Sequence, residues 1–196
     1  MIDKAPLELN KEFQYALDLL EKTNSSAFVT GRAGTGKSTL LKLFRNTTRK
    51  KTVVLAPTCV AALNVKGQTI HSFFRFPAKP LKREEIKQLR NRKLYKRMEV
   101  LIIDEISMVR ADLLDNIDYF LRRNRENPEP FGGVQVIFFG DLFQLPPVVS
   151  SAAEKQLFSS YYDSPYFFSA KVFEDGFTME NIEQRTTYRQ ESLHFL

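Results

Sequence analysis

Apolar residues recur along the chain with two alternating spacings. Phe13, Ala16, Leu17 and Leu20 fall on one helical face, and Asn10 stands where an N-cap belongs, so a helix is predicted over residues 11–23. Ala27–Thr30 and Thr52–Ala56 read as short strands, with helices expected from about Lys37 and over residues 58–65. Val100–Ile103 is an unbroken apolar run that ends in acid, as in a strand buried on both faces. Asp112 is placed to cap the helix that carries Leu113, Leu114, Ile117, Phe120 and Leu121. Pro130–Gly133 predicts a turn before a strand over residues 134–139. Residues 150–169 carry no clear period; beyond them a short helix over 170–174 and a strand over 177–182 are expected, and residues 190–196 read as the opening of another helix. Strand and helix alternate, which predicts an α/β fold: a parallel sheet with helices on both faces.

A length of 196 residues bounds this to one domain over 1–196. There is no apolar run of about 18 residues to span a membrane, and residues 1–6 lack the order of a signal peptide. Cys59 is the only cysteine, which excludes a disulfide framework and a thiolate metal cluster, and points to a reducing compartment, most simply cytoplasm. The net charge of +6 is unevenly spread: residues 79–98 carry nine Lys/Arg against Glu84 and Glu85, a local balance of +7. A basic segment on a near-neutral body fits a polyanion, here single-stranded nucleic acid; the alternative is a solvated helix face.

Three motifs carry chemistry. Gly31, Arg32, Ala33, Gly34, Thr35, Gly36, Lys37 and Ser38 match the phosphate-loop pattern at every fixed position, between a predicted strand and a predicted helix. Such glycines let successive backbone N–H groups converge on phosphate oxygens, and the helix N-terminus adds positive potential. Lys37 is then the residue for the β/γ-phosphates and Ser38 the hydroxyl ligand of Mg²⁺. Asp104 and Glu105 end the buried strand, where two carboxylates are costly without a cation; Asp104 suits Mg²⁺ through a water, and Glu105 suits proton abstraction from an attacking water. Gln144, just beyond the third apolar strand in Gly140-Asp141-Leu142-Phe143-Gln144-Leu145-Pro146-Pro147-Val148, can reach a γ-phosphate. Thr58, His71 and Phe73 offer a hydroxyl, an imidazole and a ring suited to single-stranded nucleic acid, although phenylalanines at such spacing are more often core.

Residues 31–39, 55–74, 102–109, 130–133 and 140–148 together closely resemble the PIF-type (petite integration frequency) helicases, superfamily-one motors that move five-prime to three-prime on DNA. Residues 112–133, with Leu-Leu-Asp and Pro-Phe-Gly-Gly, are similar to a segment peculiar to that branch. The resemblance implies a RecA-like P-loop NTPase fold, ATP and Mg²⁺ as cofactors, and single-stranded DNA with single-strand/duplex junctions as partners. It implies that Gln14 reads the adenine edge, that Thr39 belongs with the phosphate loop to the nucleotide-binding residues, and that Arg189 contacts the γ-phosphate. Thr58, His71 and Phe73 fall where the family touches DNA. It also implies that this is the N-terminal motor domain, with the second RecA-like domain and the accessory domains absent from the chain. The rival readings are a small P-loop kinase, for which Glu105 and Gln144 are out of place, and a nucleotide- and DNA-binding module without turnover.

Overall fold

The computed structural model describes residues 11–77, 79–149 and 151–184. Six strands form one sheet: β1 (Ala27–Thr30), β2 (Thr52–Ala56), β3 (Gln68–Thr69), β4 (Val100–Ile103), β5 (Gln135–Gly140) and β6 (Glu180–Glu183). Their spatial order is β3-β2-β4-β5-β1-β6, and every pair is parallel. The register between β4 and β5 sets Val100 beside Gln135 and Ile103 beside Phe138, so the apolar runs of the two central strands lie abreast.

Side chains alternate across the sheet, and both faces are buried. Phe28, Leu55, Leu101, Ile103, Val136 and Phe138 point to one core, and Ala27, Val29, Val54, Val100, Ile102 and Ile137 to the other. Helices α1 (Lys11–Lys22) and α2 (Lys37–Thr47) cover the second face through Phe13, Ala16, Leu20, Leu40, Leu41 and Phe44. The first face is covered by α4 (Ile70–Phe74), α5 (Lys93–Arg97) and α6 (Ala111–Arg125), which follow α3 (Cys59–Asn64) in the chain. Burying an apolar side chain of this size contributes about 1.5–3 kcal/mol, so the two cores fix the strand ends as a rigid platform.

Four expectations need correction. Asp112 does not cap α6: Arg110 occupies the N-cap, and the Asp112 carboxylate, buried at the second position of the helix, accepts from Arg110 Nε at 2.9 Å and Nη2 at 2.6 Å. A cation two residues away and a low-dielectric setting make that fork–carboxylate pairing stronger than a cap to backbone N–H. Residues 150–169, which showed no period, contain α7 (Ala152–Tyr161), opened by a reciprocal capping box between Ser151 and Glu154. The strand expected over 177–182 forms instead at Glu180–Glu183, because Phe177 is drawn into the core against Phe131, with ring centroids 4.8 Å apart. The short helix expected over 170–174 is a 3₁₀ turn at Lys171–Phe173. Asn10 and residues 190–196 lie outside the described residues.

The Pro130–Gly133 turn packs tightly onto α6. Phe131 is held in left-handed backbone at φ 52°, is fully buried, and donates its N–H to Asp118 Oδ1 at 2.6 Å. Asp118 also accepts from Arg122 Nε. The Pro-Phe-Gly-Gly turn is thus joined to α6 through Asp118, whereas the Asp115 of Leu-Leu-Asp accepts from the Tyr162 hydroxyl and the Lys171 and Val172 N–H groups.

Candidate nucleotide site and strand-end interface

The phosphate loop runs from the end of β1, which lies between β5 and the edge strand β6, to the start of α2. Gly36, at φ +89°, occupies the N-cap of α2, a left-handed position that an L side chain strains to adopt. Gly31 is needed for space: a Cβ there would sit 2.5 Å from the Gln184 carbonyl oxygen. Thr35 is buried and donates its hydroxyl to the Arg32 carbonyl at 2.9 Å, which closes the loop on itself. Lys37 Nζ bridges the loop, donating to the carbonyls of Gly31 at 2.5 Å and Arg32 at 3.0 Å.

Around this loop lies a cavity of about 440 Å³. Ala33, Gly34, Gly36, Lys37, Ser38 and Thr39 form one wall, and Glu105 and Gln144 form the other. Three separate sequence motifs thus converge on one volume. Glu105 follows β4 in left-handed backbone at φ 52°, which turns the chain sharply beyond the strand. Gln144 is carried by a turn after β5 in which the buried Asp141 accepts the Phe143 N–H at 3.0 Å through its carboxylate and the Gln144 N–H at 3.0 Å through its carbonyl. Asp141 is a positioning residue of this turn, and its place one residue past the apolar strand β5 is the sequence signal that marks it.

Asp104 adjoins Glu105 at the strand end, its N–H donated to the Leu55 carbonyl at 2.9 Å. Burial, and then the like charge of Glu105, push its carboxyl up to about 6, against a smaller opposing pull from Lys37. A half-buried carboxylate beside a second one and close enough to feel the Lys37 charge, together with the Ser38 hydroxyl in the loop cavity, is the kind of oxygen-donor set that suits Mg²⁺ with phosphates: few protein oxygens, the rest water and substrate. Among the described residues no cluster of three His, Cys, Asp or Glu is arranged as an all-protein metal cage.

Gln14 lies on the exposed face of α1, with its amide 3.2 Å from Asp18 Oδ1, and does not line the loop cavity. Arg189 lies outside the described residues.

A second cavity, of about 240 Å³, opens beyond the ends of β2 and β3. Thr58, His71, Arg110 and Pro146 contribute to its lining. Thr58 caps α3, its hydroxyl oxygen accepting the Ala61 N–H at 3.2 Å. His71 is half-buried; desolvation first, and then the Arg110 charge, hold its pKa below the usual histidine value, against Asp112. Phe73 is placed elsewhere. It is 7% exposed, its ring meets Phe74 at 4.9 Å and Tyr95 at 5.3 Å, and its carbonyl accepts the Tyr95 hydroxyl at 2.9 Å. It is a core residue with no face for a base, which corrects the stacking expectation. The two cavities share one loop: Gln144 faces the first, and Pro146, two residues on, faces the second.

Arg110 is the residue that sequence reasoning missed. Beyond its fork on Asp112 it pairs with Glu154 at the start of α7, and its guanidinium lies 5.5 Å from the Phe158 ring centre. It ties the segment after Glu105 to the helix after the Gln144 loop. Its partner is 44 residues away, so only the Ser-x-x-Glu capping signature hinted at it.

The basic segment is divided by the structure. Arg92 and Lys96 both reach Glu126 at the end of α6, at 2.6 and 2.5 Å, and hold that carboxyl down at about 2. Lys79 pairs with Glu85 at 3.3 Å.

A parallel sheet covered on both faces, with a phosphate loop after β1 and an acidic pair after β4, defines a RecA-like P-loop nucleotide-binding domain. The PIF1-like helicase family model matches residues 8–194, and the chain belongs to that family. It is 36% identical over 203 residues to the ATP-dependent DNA helicase PIF1 of Saccharomyces cerevisiae, covering 98% of this chain and 23% of that protein. It is 39% identical over 194 residues to the PIF1 of Candida albicans, covering 94% of this chain and 21% of that one. The fold matches the crystal structure of Bacteroides Pif1 in complex with ADP-AlF3 and single-stranded DNA, with a TM-score of 0.84 and 44% identity over 94% of this chain and 44% of the other. The chain thus spans about a quarter or less of these two curated relatives. Among the described residues no helix is long and apolar enough to cross a membrane.

Proposed function

We propose that this domain binds ATP with Mg²⁺ and hydrolyses it, and that in the whole protein this cycle drives movement along single-stranded DNA towards single-strand/duplex junctions. The observation that carries the reading is the convergence of Lys37, Ser38, Glu105 and Gln144 on one 440 Å³ cavity. The loop's N–H groups and Lys37 bind the β- and γ-phosphates. Ser38, and Asp104 through a water, hold Mg²⁺, which neutralises charge on the transferring phosphate. Glu105 accepts the proton of the attacking water, and Gln144 registers whether the γ-phosphate is present. Because the Gln144 loop continues into the wall that Thr58 and His71 share, loss of the γ-phosphate reaches the strand-end cavity, where we place the DNA strand. Arg189, by its motif position, and an arginine of a second RecA-like domain complete the charge stabilisation; such an arginine is worth roughly 10³ to 10⁵ in rate.

Supporting this over a small-molecule kinase are Glu105, positioned to activate water, and the motif-derived Gln144. Titration of a fluorescent ATP analogue with Mg²⁺ tests the site: Lys37→Ala is expected to weaken binding by about tenfold or more, corresponding to one lost charge-assisted contact. Equal affinity of the two proteins would remove the assignment.

A further inference from the structure

Helix α5 carries its charge on two faces. Arg92, at its N-cap, and Lys96 are neutralised together by Glu126. Lys93 and Arg97, also four residues apart, line a different cavity, of about 640 Å³, with Lys51 and Arg75. Among the described residues none of these four cations forms an ion pair, and no carboxylate lines the cavity; Glu99, next to it in sequence, is engaged with the Lys51 backbone N–H at 2.8 Å. The cavity has apolar walls: Val53 from β2, Met98 after α5, and Leu94, which stands 56% exposed. Cations that share a concave, partly apolar surface without counter-charge repel one another, and an anion relieves that repulsion. The site lies at the start of β2, whereas the phosphate loop follows the end of β1 in the same parallel sheet. The length of a five-residue strand, about 16 Å, separates the two levels, so it is no extension of the nucleotide cavity.

We propose that this groove is a docking site for an acidic peptide segment that carries an apolar anchor, supplied by a partner protein. Charge complementarity selects the acid: four cations ring the groove, and those on the opposite face of α5 are already satisfied. The apolar walls select a peptide over a nucleic-acid strand. Among the described residues the one aromatic side chain in the lining, Tyr95, is buried and donates its hydroxyl to the Phe73 carbonyl, so it offers no ring for a base to stack on. Carboxylates on the rim bring association rate and register, and an apolar side chain against Leu94 and the half-buried Val53 brings affinity.

The test uses the intact protein and three fluorescein-labelled probes read by anisotropy: a peptide of Asp and Glu with a central Leu-Phe pair, the same peptide with Ser-Ser in its place, and oligo-dT. The Leu-Phe peptide is expected to bind, and the Ser-Ser peptide about tenfold more weakly. Lys93→Glu with Arg97→Glu is expected to weaken the Leu-Phe peptide about tenfold or more, while oligo-dT affinity stays unchanged. Leu94→Asp is expected to abolish the advantage of Leu-Phe over Ser-Ser. Binding of the fluorescent ATP analogue by both variants reports that they are folded. Equal binding of the two peptides, no peptide binding, or no response to the charge reversals would overturn the proposal. A loss of oligo-dT affinity in the charge-reversed protein would overturn it in favour of a nucleic-acid groove.

Discussion

At the scale of single residues, the site stores electrostatic strain in Asp104. Its carboxyl sits at about 6 in the folded protein against 3.8 ordinarily, chiefly through burial and then through Glu105. A folded value above the unfolded one means that the native state holds its proton more tightly. Stability is therefore fully present below about pH 4, is lost as pH rises from about 4 to about 6, and stays lost above. A displacement of this size is worth about 2–3 kcal/mol. Asp104→Asn is thus expected to stabilise the nucleotide-free protein by roughly 1–3 kcal/mol near pH 7, with the gain shrinking towards pH 4, while Mg²⁺-nucleotide binding falls. Urea denaturation at the two pH values checks this; a variant less stable than wild type near pH 7 would contradict it. The loop itself was legible because most of its demands are local: Gly36 precedes Lys37 directly, although the room that Gly31 leaves for the Gln184 carbonyl is set by a residue far along the chain. Glu105 and Gln144 were legible as motif residues, but the cavity they share is a property of parallel strand ends.

At the scale of elements, the legible parts are those whose pattern is set by the sheet. Val100–Ile103 is apolar throughout because both faces of β4 are covered, and the run alone announces it. Phe73 was ambiguous because an aromatic ring serves a core and a base equally well; its neighbour Tyr95 lies 22 residues on, and nothing local foretold the pairing. Helix α7 escaped because its apolar residues, such as Phe158, are spaced among serines and tyrosines, leaving the four-residue capping box as its signal. Asp112 was assigned to a cap because Glu154, the other half of the Arg110 clamp, is far away in sequence. The clamp makes its own prediction. Arg110→Ala leaves two buried carboxylates, Asp112 and Glu154, without their shared cation, and is expected to cost about 3 kcal/mol. Adding Asp112→Asn and Glu154→Gln is expected to recover part of that loss. Denaturant midpoints of the single and triple variants measure it; additive losses would show that the three act separately.

At the scale of the whole molecule, one loop joins two cavities. Gln144 and Pro146 are two residues apart, one beside the phosphate loop and the other beside Thr58 and His71. Both cavities lie beyond the C-terminal ends of parallel strands, where α/β sheets place their ligands. The rigid double core leaves this loop as the element able to carry a nucleotide-dependent change, and a chemical event at Glu105 is expected to answer to DNA bound on the far side of Pro146. Thr58→Ala with His71→Ala is expected to lower oligo-dT affinity about tenfold or more while sparing affinity for the ATP analogue, read by anisotropy with the two labelled ligands. Parallel loss of both affinities would place the two residues in the nucleotide site instead.

The most direct measurement is phosphate release at saturating ATP and Mg²⁺, with and without oligo-dT, by the intact protein and by its Glu105→Gln variant, alongside titration of the ATP analogue. The expected result is turnover stimulated by oligo-dT in the wild type, and a fall of about 10²-fold or more in Glu105→Gln with nucleotide affinity retained. Equal turnover by the two proteins, or a rate indifferent to oligo-dT, would contradict an ATPase site built on Glu105 and coupled through the Gln144 loop to a DNA strand.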